Sequence, residues 1–201
     1  MLTLDHIAIG AADLETGVAW AEARLGLPLR PGGRHARFGT HNRLLGLGDI
    51  YIEVIAPDPD AAAPEGPRWF GLDRWEGPPR LCNWLCRTDD MDAARAALPA
   101  DPGPALALSR GDLSWEITVP TDGSLPLDGA CPTLLRWAPG ALHPAARLPD
   151  DGCRLVSLTI THPNAARISA ALPLDDPRVR FAAGPLSLSA RIATPRGEVT
   201  L

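Results

Sequence analysis

The chain has 201 residues, of which 45% are hydrophobic, and a formal net charge of −5. Its 19 basic residues are all scattered arginines. They form no basic stripe of the kind nucleic acid requires, and with no lysine no Schiff base can be made. No apolar run approaches the ~18–20 residues of a membrane span, and the start lacks the basic-then-apolar order of a signal peptide. The expectation is a cytoplasmic protein with neither a nucleic-acid nor a membrane partner.

In chain order, the opening Leu4–Gly10 is a short apolar strand. Asp13 then caps a helix over 14–25, with Leu14, Val18, Ala21 and Leu25 on one face and Gly26 placed to stop it. After a loop over 28–33 come strand-like runs at 34–38, 41–47 and 50–56, broken by Gly39 and by Gly48-Asp49. The first 57 residues thus read β-α-β-β-β. Residues 58–79 are rich in Pro and Gly but carry Trp69, Phe70 and Trp75. Rings of that size need cover, so this is either an ordered crossover pinned by its aromatics or a lid over a pocket.

A second β-α-β-β-β reading covers 80–139, with a strand from Arg80, a helix over 91–98, and strands at 105–110, 113–119 and 133–137. The remainder, 140–201, begins with a loop and reads as a partial third unit: a strand at 155–161, a helix over 165–172, and strands at 179–182, 186–193 and 198–201. Leu4-Asp5-His6-Ile7-Ala8-Ile9-Gly10 followed by Asp13 reappears 77 positions later as Leu81 to Arg87 followed by Asp90, and more faintly as Leu155 to Thr161 followed by Asn164. Matched spacing of strand, cap and helix is the mark of a duplicated unit. In this register His6, Asn83 and Ser157 correspond. Cys82 and Cys86 share a strand face but lie roughly 13 Å apart at ~3.3 Å per residue, too far for one disulfide or one zinc ion. Buried free thiols are expected for these and for Cys131 and Cys153.

The opening L-D-H-I-A-I followed by Asp13-Leu14, together with Tyr51-Ile52-Glu53-Val54-Ile55-Ala56-Pro57, resembles the vicinal oxygen chelate superfamily, which includes glyoxalase I, extradiol dioxygenases and bleomycin-resistance proteins. Gly39-Thr40-His41-Asn42-Arg43-Leu44 is similar to its glyoxalase-like domain subgroup. The likeness is strongest over 2–57, weaker over 80–139 and weakest beyond. It implies an α+β fold in which repeated βαβββ modules wrap a curved mixed sheet around a cleft. It also implies metal ligands at His6 and Glu53, for a divalent Fe, Mn, Ni or Zn ion. By alternation, Leu4, His6 and Ala8 face the cleft while Ile7 and Ile9 face the helix.

The second half departs from the pattern. Asn83 stands at the His6 position, and matching Ile55-Ala56-Pro57 to Trp137-Ala138-Pro139 puts Leu135 at that of Glu53. Two ligands fall short of a catalytic site, so an ion would have to recruit His41, His143 or Asn83. Glu53 and His41 are the candidate catalytic residues, and Asn42, Asn83, Trp84, Arg136 and Trp137 the candidate pocket residues. The alternatives are structural: an ion pair of Glu53 with Arg43 or Arg136, a turn made by His41 and Asn42, core packing of the tryptophans, a solvated Arg136, and loop roles for His143 and His162. The functional expectation is a metal-assisted lyase, isomerase or dioxygenase acting on a substrate with vicinal oxygens. The alternatives are a metal-free protein that sequesters a small molecule, as monomer or homodimer, and metal-free acid-base catalysis by His41 and Glu53.

Overall fold

The computed structural model describes all 201 residues. Strands β1 (Thr3–Gly10), β2 (Arg30–His35), β3 (Thr40–Gly46), β4 (Tyr51–Pro57), β5 (Arg80–Arg87), β6 (Ala105–Arg110), β7 (Leu113–Thr118) and β8 (Thr133–Trp137) form one eight-stranded sheet in the order β2-β3-β4-β1-β5-β8-β7-β6. A second sheet, β10-β9-β11-β12, is made by β9 (Arg154–Thr161), β10 (Val179–Ala182), β11 (Ser187–Thr194) and β12 (Gly197–Thr200). Helices are few: α1 (Leu14–Leu25), α2 (Met91–Ala97), the single turn α3 (Pro144–Arg147) and α4 (Ala165–Ala171). This is the curved, mixed α+β architecture that the sequence implies.

Local chemistry sets the helix ends. Asp13 accepts the Thr16 N–H at 2.8 Å, and Gly26 closes α1 in the left-handed region at φ 70°. Asp90 caps α2 in the same way through Ala93. Asn164 occupies the capping position of α4 without a side-chain bond.

The repeat is written into the strand register. Ile7 lies opposite Trp84, His6 opposite Leu85, and Ala8 opposite Asn83. Those are the pairs required by a twofold axis through Ile7 and Trp84 when residues 77 apart are equivalent. The irregularities obey the same axis, since the antiparallel register slips at Asp5 on β1 and at the equivalent Cys82 on β5. Each half also pairs its first and last strands in parallel, β1 with β4 and β5 with β8. The C-terminal unit follows the rule in shortened form: β9 pairs β10 in parallel and β11 antiparallel, as β1 pairs β4 and β5, with two strands omitted.

The convex face of the large sheet is covered by α1, α2 and the second sheet, and its core includes Leu4, Ile7, Ile9, Ile52, Val54, Trp84, Leu158 and Ile192. Trp84 is wholly buried on the pseudo-axis, edge-on to Phe181 at 6.1 Å, with its indole N–H donated to the Gly129 carbonyl at 3.2 Å. The concave face has its own apolar lining of Ala8, Ile55, Leu85, Leu135, Trp115, Ile117 and Phe38. Trp69, Phe70 and Leu72, on a 3₁₀ segment of the aromatic crossover, are buried against that lining. All four cysteines are free and buried.

Candidate active site

The concave face encloses a cavity of ≈ 40 Å³ lined chiefly by aromatic and aliphatic side chains and by His6, His35, Asn42, Tyr51, Glu53 and Arg110. Its charged corner begins with the β1 irregularity. A bulge places two residues opposite one and re-aims side chains, so Leu4 joins the convex core while Ala8 turns to the concave face and His6 to its cavity. Simple alternation, which groups Leu4 with His6, fails here for that reason. The extra residue, Asp5, is fully buried beside His6 and accepts the His6 Nδ1–H at 2.7 Å. Its second oxygen is bonded to His143 Nε2 at 2.9 Å and accepts the Trp137 indole N–H at 3.0 Å, with Arg87 at 3.5 Å.

His6 stacks on Tyr51, with ring centroids 4.3 Å apart, and points Nε2 at Glu53 Oε2 across 3.6 Å. Burial works against a charged ring, but the hydrogen bond to Asp5 and the negative charges of Asp5 and Glu53 outweigh it and raise the His6 pKa to about 9. Burial likewise opposes charge on Glu53, whereas the charged His6 and the amide of Asn42 hold its pKa below the ordinary value. The site therefore rests as an imidazolium between two carboxylates. Neither Arg43 nor Arg136 pairs with Glu53; Asn42 does, donating its amide N–H to Oε1. Asn42 is itself held by β2, where Gly32 and Gly33 bulge opposite it and the Gly33 N–H donates to its Oδ1 at 2.7 Å. A Cβ on Gly32 would fall 1.9 Å from that oxygen, so the Gly-Gly pair belongs to a bulged strand and not to the expected loop.

Across the cavity, Arg110 Nη1–H donates to His35 Nε2 at 3.0 Å. A guanidinium only donates, so His35 is the neutral tautomer with its proton on Nδ1, directed to Thr40 Oγ1 at 3.1 Å. Thr40 Oγ1 also accepts the Trp69 indole N–H at 3.1 Å, which ties the aromatic crossover to the cavity wall. Burial, together with Arg110, lowers the His35 pKa to about 4. One cavity thus holds a charged and a neutral histidine.

Of the sequence-based candidates, His6, Asn42, Glu53 and Trp137 meet at this cavity. His41 does not: alternation along β3 turns it to the other face, where its Nδ1 lies 3.8 Å from Asp58. Trp84 belongs to the convex core. Arg136 points outward, paired with Glu116 at 2.6 Å along an open groove. Asn83 is buried beside Ala8, outside the cavity lining, and donates to Thr133 Oγ1 at 2.9 Å. Thr133, opposite Leu85 in the parallel β5–β8 register as Glu53 is opposite Ala8, holds the Glu53 position; Leu135 does not. Asp5, His35, Tyr51 and Arg110 also belong to this corner or line the cavity, and none is marked as a site residue by its sequence pattern. The visible signals were an acid beside the candidate ligand and the Gly32-Gly33 pair next to His35.

The resemblance implies a divalent ion at this corner of the cavity. His6 Nε2 and Glu53 Oε2 converge, and Asp5 backs His6 as carboxylates back metal-bound histidines. The equivalent positions in the second half offer only Asn83 and Thr133, which are neutral and bonded to each other. Nowhere do three His, Cys, Asp or Glu side chains gather as a ligand set. Catalytic ions commonly have three protein ligands, so these residues do not fit a resident divalent ion.

No protein of curated function matches the sequence. A hypothetical protein from Staphylococcus aureus shares the fold, with a TM-score of 0.64 at 14% identity over 93% of this chain and 88% of its own. Methylmalonyl-CoA epimerases from Mycobacterium tuberculosis and Streptomyces coelicolor give TM-scores of 0.42 and 0.45 at 23% and 21% identity, over 69% of this chain and 88% and 99% of theirs. At those scores they carry no inference about the reaction. The family described as a glyoxalase-like domain matches residues 4–174, which is most of the chain. Together with the duplicated βαβββ sheet, that match makes this protein a member of the glyoxalase-like domain family.

Proposed function

We propose that this glyoxalase-like protein is a metal-independent isomerase or lyase acting on a small molecule with oxygens on adjacent carbons. The observation that carries the reading is the His6–Glu53 pair, 3.6 Å apart at one cavity and each held from behind, by Asp5 and Asn42 respectively. Glu53, a carboxylate at rest, takes a proton from the carbon next to a carbonyl. The electron pair moves onto the carbonyl oxygen, where the His6 Nε2–H stabilises the negative charge. The carboxyl proton then returns to the former carbonyl carbon while the other hydroxyl becomes the carbonyl and passes its proton to the neutral His6, or it goes to a leaving oxygen on the next carbon while the enol returns its proton to His6; either way Glu53 and His6 are both restored. As the oxyanion takes up the proton of His6, the positive charge that holds down the Glu53 pKa disappears, so acid and base are coupled. The burial of His6 and Glu53 keeps bulk water from the pair and strengthens both interactions.

Deuterium uptake tests this reading: pyruvate, lactate, dihydroxyacetone and glyceraldehyde are incubated with the protein in D₂O containing EDTA and followed by proton NMR. Uptake on at least one compound is expected, falling about 10²-fold or more in Glu53→Gln. Uptake that appears only on adding Fe, Mn, Ni or Zn would restore the metal-assisted mechanism. Uptake on none, with or without metal, would leave small-molecule sequestration as the role.

A further inference from the structure

Among the residues lining the cavity, Arg110 is the one arginine, and no carboxylate lies within ion-pair distance of it. Its one side-chain partner, His35 Nε2 at 3.0 Å, is a neutral acceptor and engages one N–H of the guanidinium. The charge stays uncompensated, and the other donors of the fork remain available in the planar arrangement that matches a carboxylate. The approach of Arg110 is built into the opposite sheet edge. A Cβ on Gly33 would lie 2.5 Å from Arg110 Cδ and 2.6 Å from its Nε, so glycine at that point of β2 lets the side chain from β6 reach the cavity. The cavity of ≈ 40 Å³, which is partly open to the outside, has room for about three waters, and hence for a ligand of a few heavy atoms.

We propose that the cavity takes a small carboxylate bearing an oxygen on the carbon next to its carboxyl group, with Arg110 holding the carboxylate. This rests on the proton-transfer reading above for its chemistry but on separate residues for its binding. The carboxylate meets Arg110 beside the neutral His35, and the adjacent oxygen is presented to the His6 Nε2–H. In a 2-oxo acid the carbon beyond that oxygen then lies against Glu53, and the electron pair left when its proton is removed moves onto the oxygen held by His6. His35 contributes by remaining neutral: it orients the guanidinium without competing for its charge.

Calorimetric titration with lactate, glycolate and pyruvate, set against uncharged lactamide, glycolamide and hydroxyacetone, tests the assignment. The acids are expected to bind at least about tenfold more tightly than their uncharged counterparts. Arg110→Gln should abolish that preference, a loss of about 10- to 100-fold for the acids alone, and Arg110→Lys should retain part of it. Gly33→Ala, whose methyl displaces Arg110 from the other edge, should reproduce the loss, so a folding failure in one variant leaves the other informative. Equal affinity for acids and uncharged analogues, or an unchanged preference in Arg110→Gln, would overturn the assignment. Arg110-dependent acid binding without deuterium uptake anywhere would keep this inference and sink the proton-transfer reading. Uptake on dihydroxyacetone that survives in Arg110→Gln, with no acid preference in wild type, would do the reverse.

Discussion

At matched positions the two halves of the large sheet carry different chemistry on the same backbone: Asp5, His6 and Glu53 in the first, and Cys82, Asn83 and Thr133 in the second. Both halves have the bulge, the parallel closure of first strand on last, and a contact between the first-strand and last-strand side chains. In the second half that contact is a neutral hydrogen bond of 2.9 Å. In the first it is an ion pair at 3.6 Å backed by another carboxylate. Duplication thus supplies a symmetric scaffold, and three side chains decide which half is charged. Charges this deeply buried persist only when paired, so the charged half must be internally compensated, whereas the neutral half depends little on its counterparts.

The sharpest way to break the comparison is to remove the same bulge residue from each half. Asp5→Ala should lower stability by about 3–5 kcal/mol, because it strips the buried partner from His6, His143 and Trp137. Cys82→Ala should cost about 1 kcal/mol, since it loses a small thiol in weak contact with the Ala8 carbonyl. Thermal unfolding of both variants checks this, and equal losses would count against the asymmetry.

Next in size is the pH dependence, to which Asn83 and Thr133 contribute nothing. His6, raised to about 9, binds more protons folded than unfolded between its ordinary 6.5 and 9. Stability should therefore fall by about 3 kcal/mol as pH rises through that window. His35, lowered to about 4, binds more protons unfolded between 4 and 6.5, so stability should fall by a similar amount, about 3 kcal/mol, as pH drops through that window. Asp5 and Glu53, both depressed, add to the loss in acid. Denaturant midpoints against pH should peak near neutrality. His6→Asn should flatten the alkaline limb and His35→Asn the acid one.

Converting the first half into the second sharpens the comparison further. His6→Asn with Glu53→Thr should be more stable than the sum of the single changes implies, by about 1–3 kcal/mol of coupling in a double-mutant cycle. The smallest effect belongs to the neutral half: Thr133→Val, which removes one neutral hydrogen bond, should cost about 1 kcal/mol.

Much of the frame is legible in the sequence because its signals are local. Asp13 and Gly26 bound α1 without tertiary help, and the offset from Leu4 to Leu81 anticipates a sheet built about Ile7 and Trp84. His6 and Glu53 are found because a resemblance points to them. What escapes is whatever one residue of slippage or a long-range contact decides. The bulge at Asp5 overrides alternation, and the shared Ala-Pro ending of β4 and β8 pulls the alignment two residues away from Thr133. Arg110 meets His35 only because the sheet curls until β6 reaches β2, which no local pattern encodes. His41 shows the converse error: its neighbours match the family pattern, but β3 faces it away from the cavity.

The central claim is that His6 rests as an imidazolium between Asp5 and Glu53, with no metal ion required. Nitrogen-15 NMR of histidine-labelled protein in EDTA, titrated from pH 5 to 10 and assigned with His6→Asn, measures this directly. The account expects both His6 ring nitrogens to be protonated at pH 7 and to lose a proton near pH 9. A neutral His6 ring at pH 7, or one whose bare nitrogen shifts on stoichiometric addition of Zn, Ni, Mn or Fe, would contradict it.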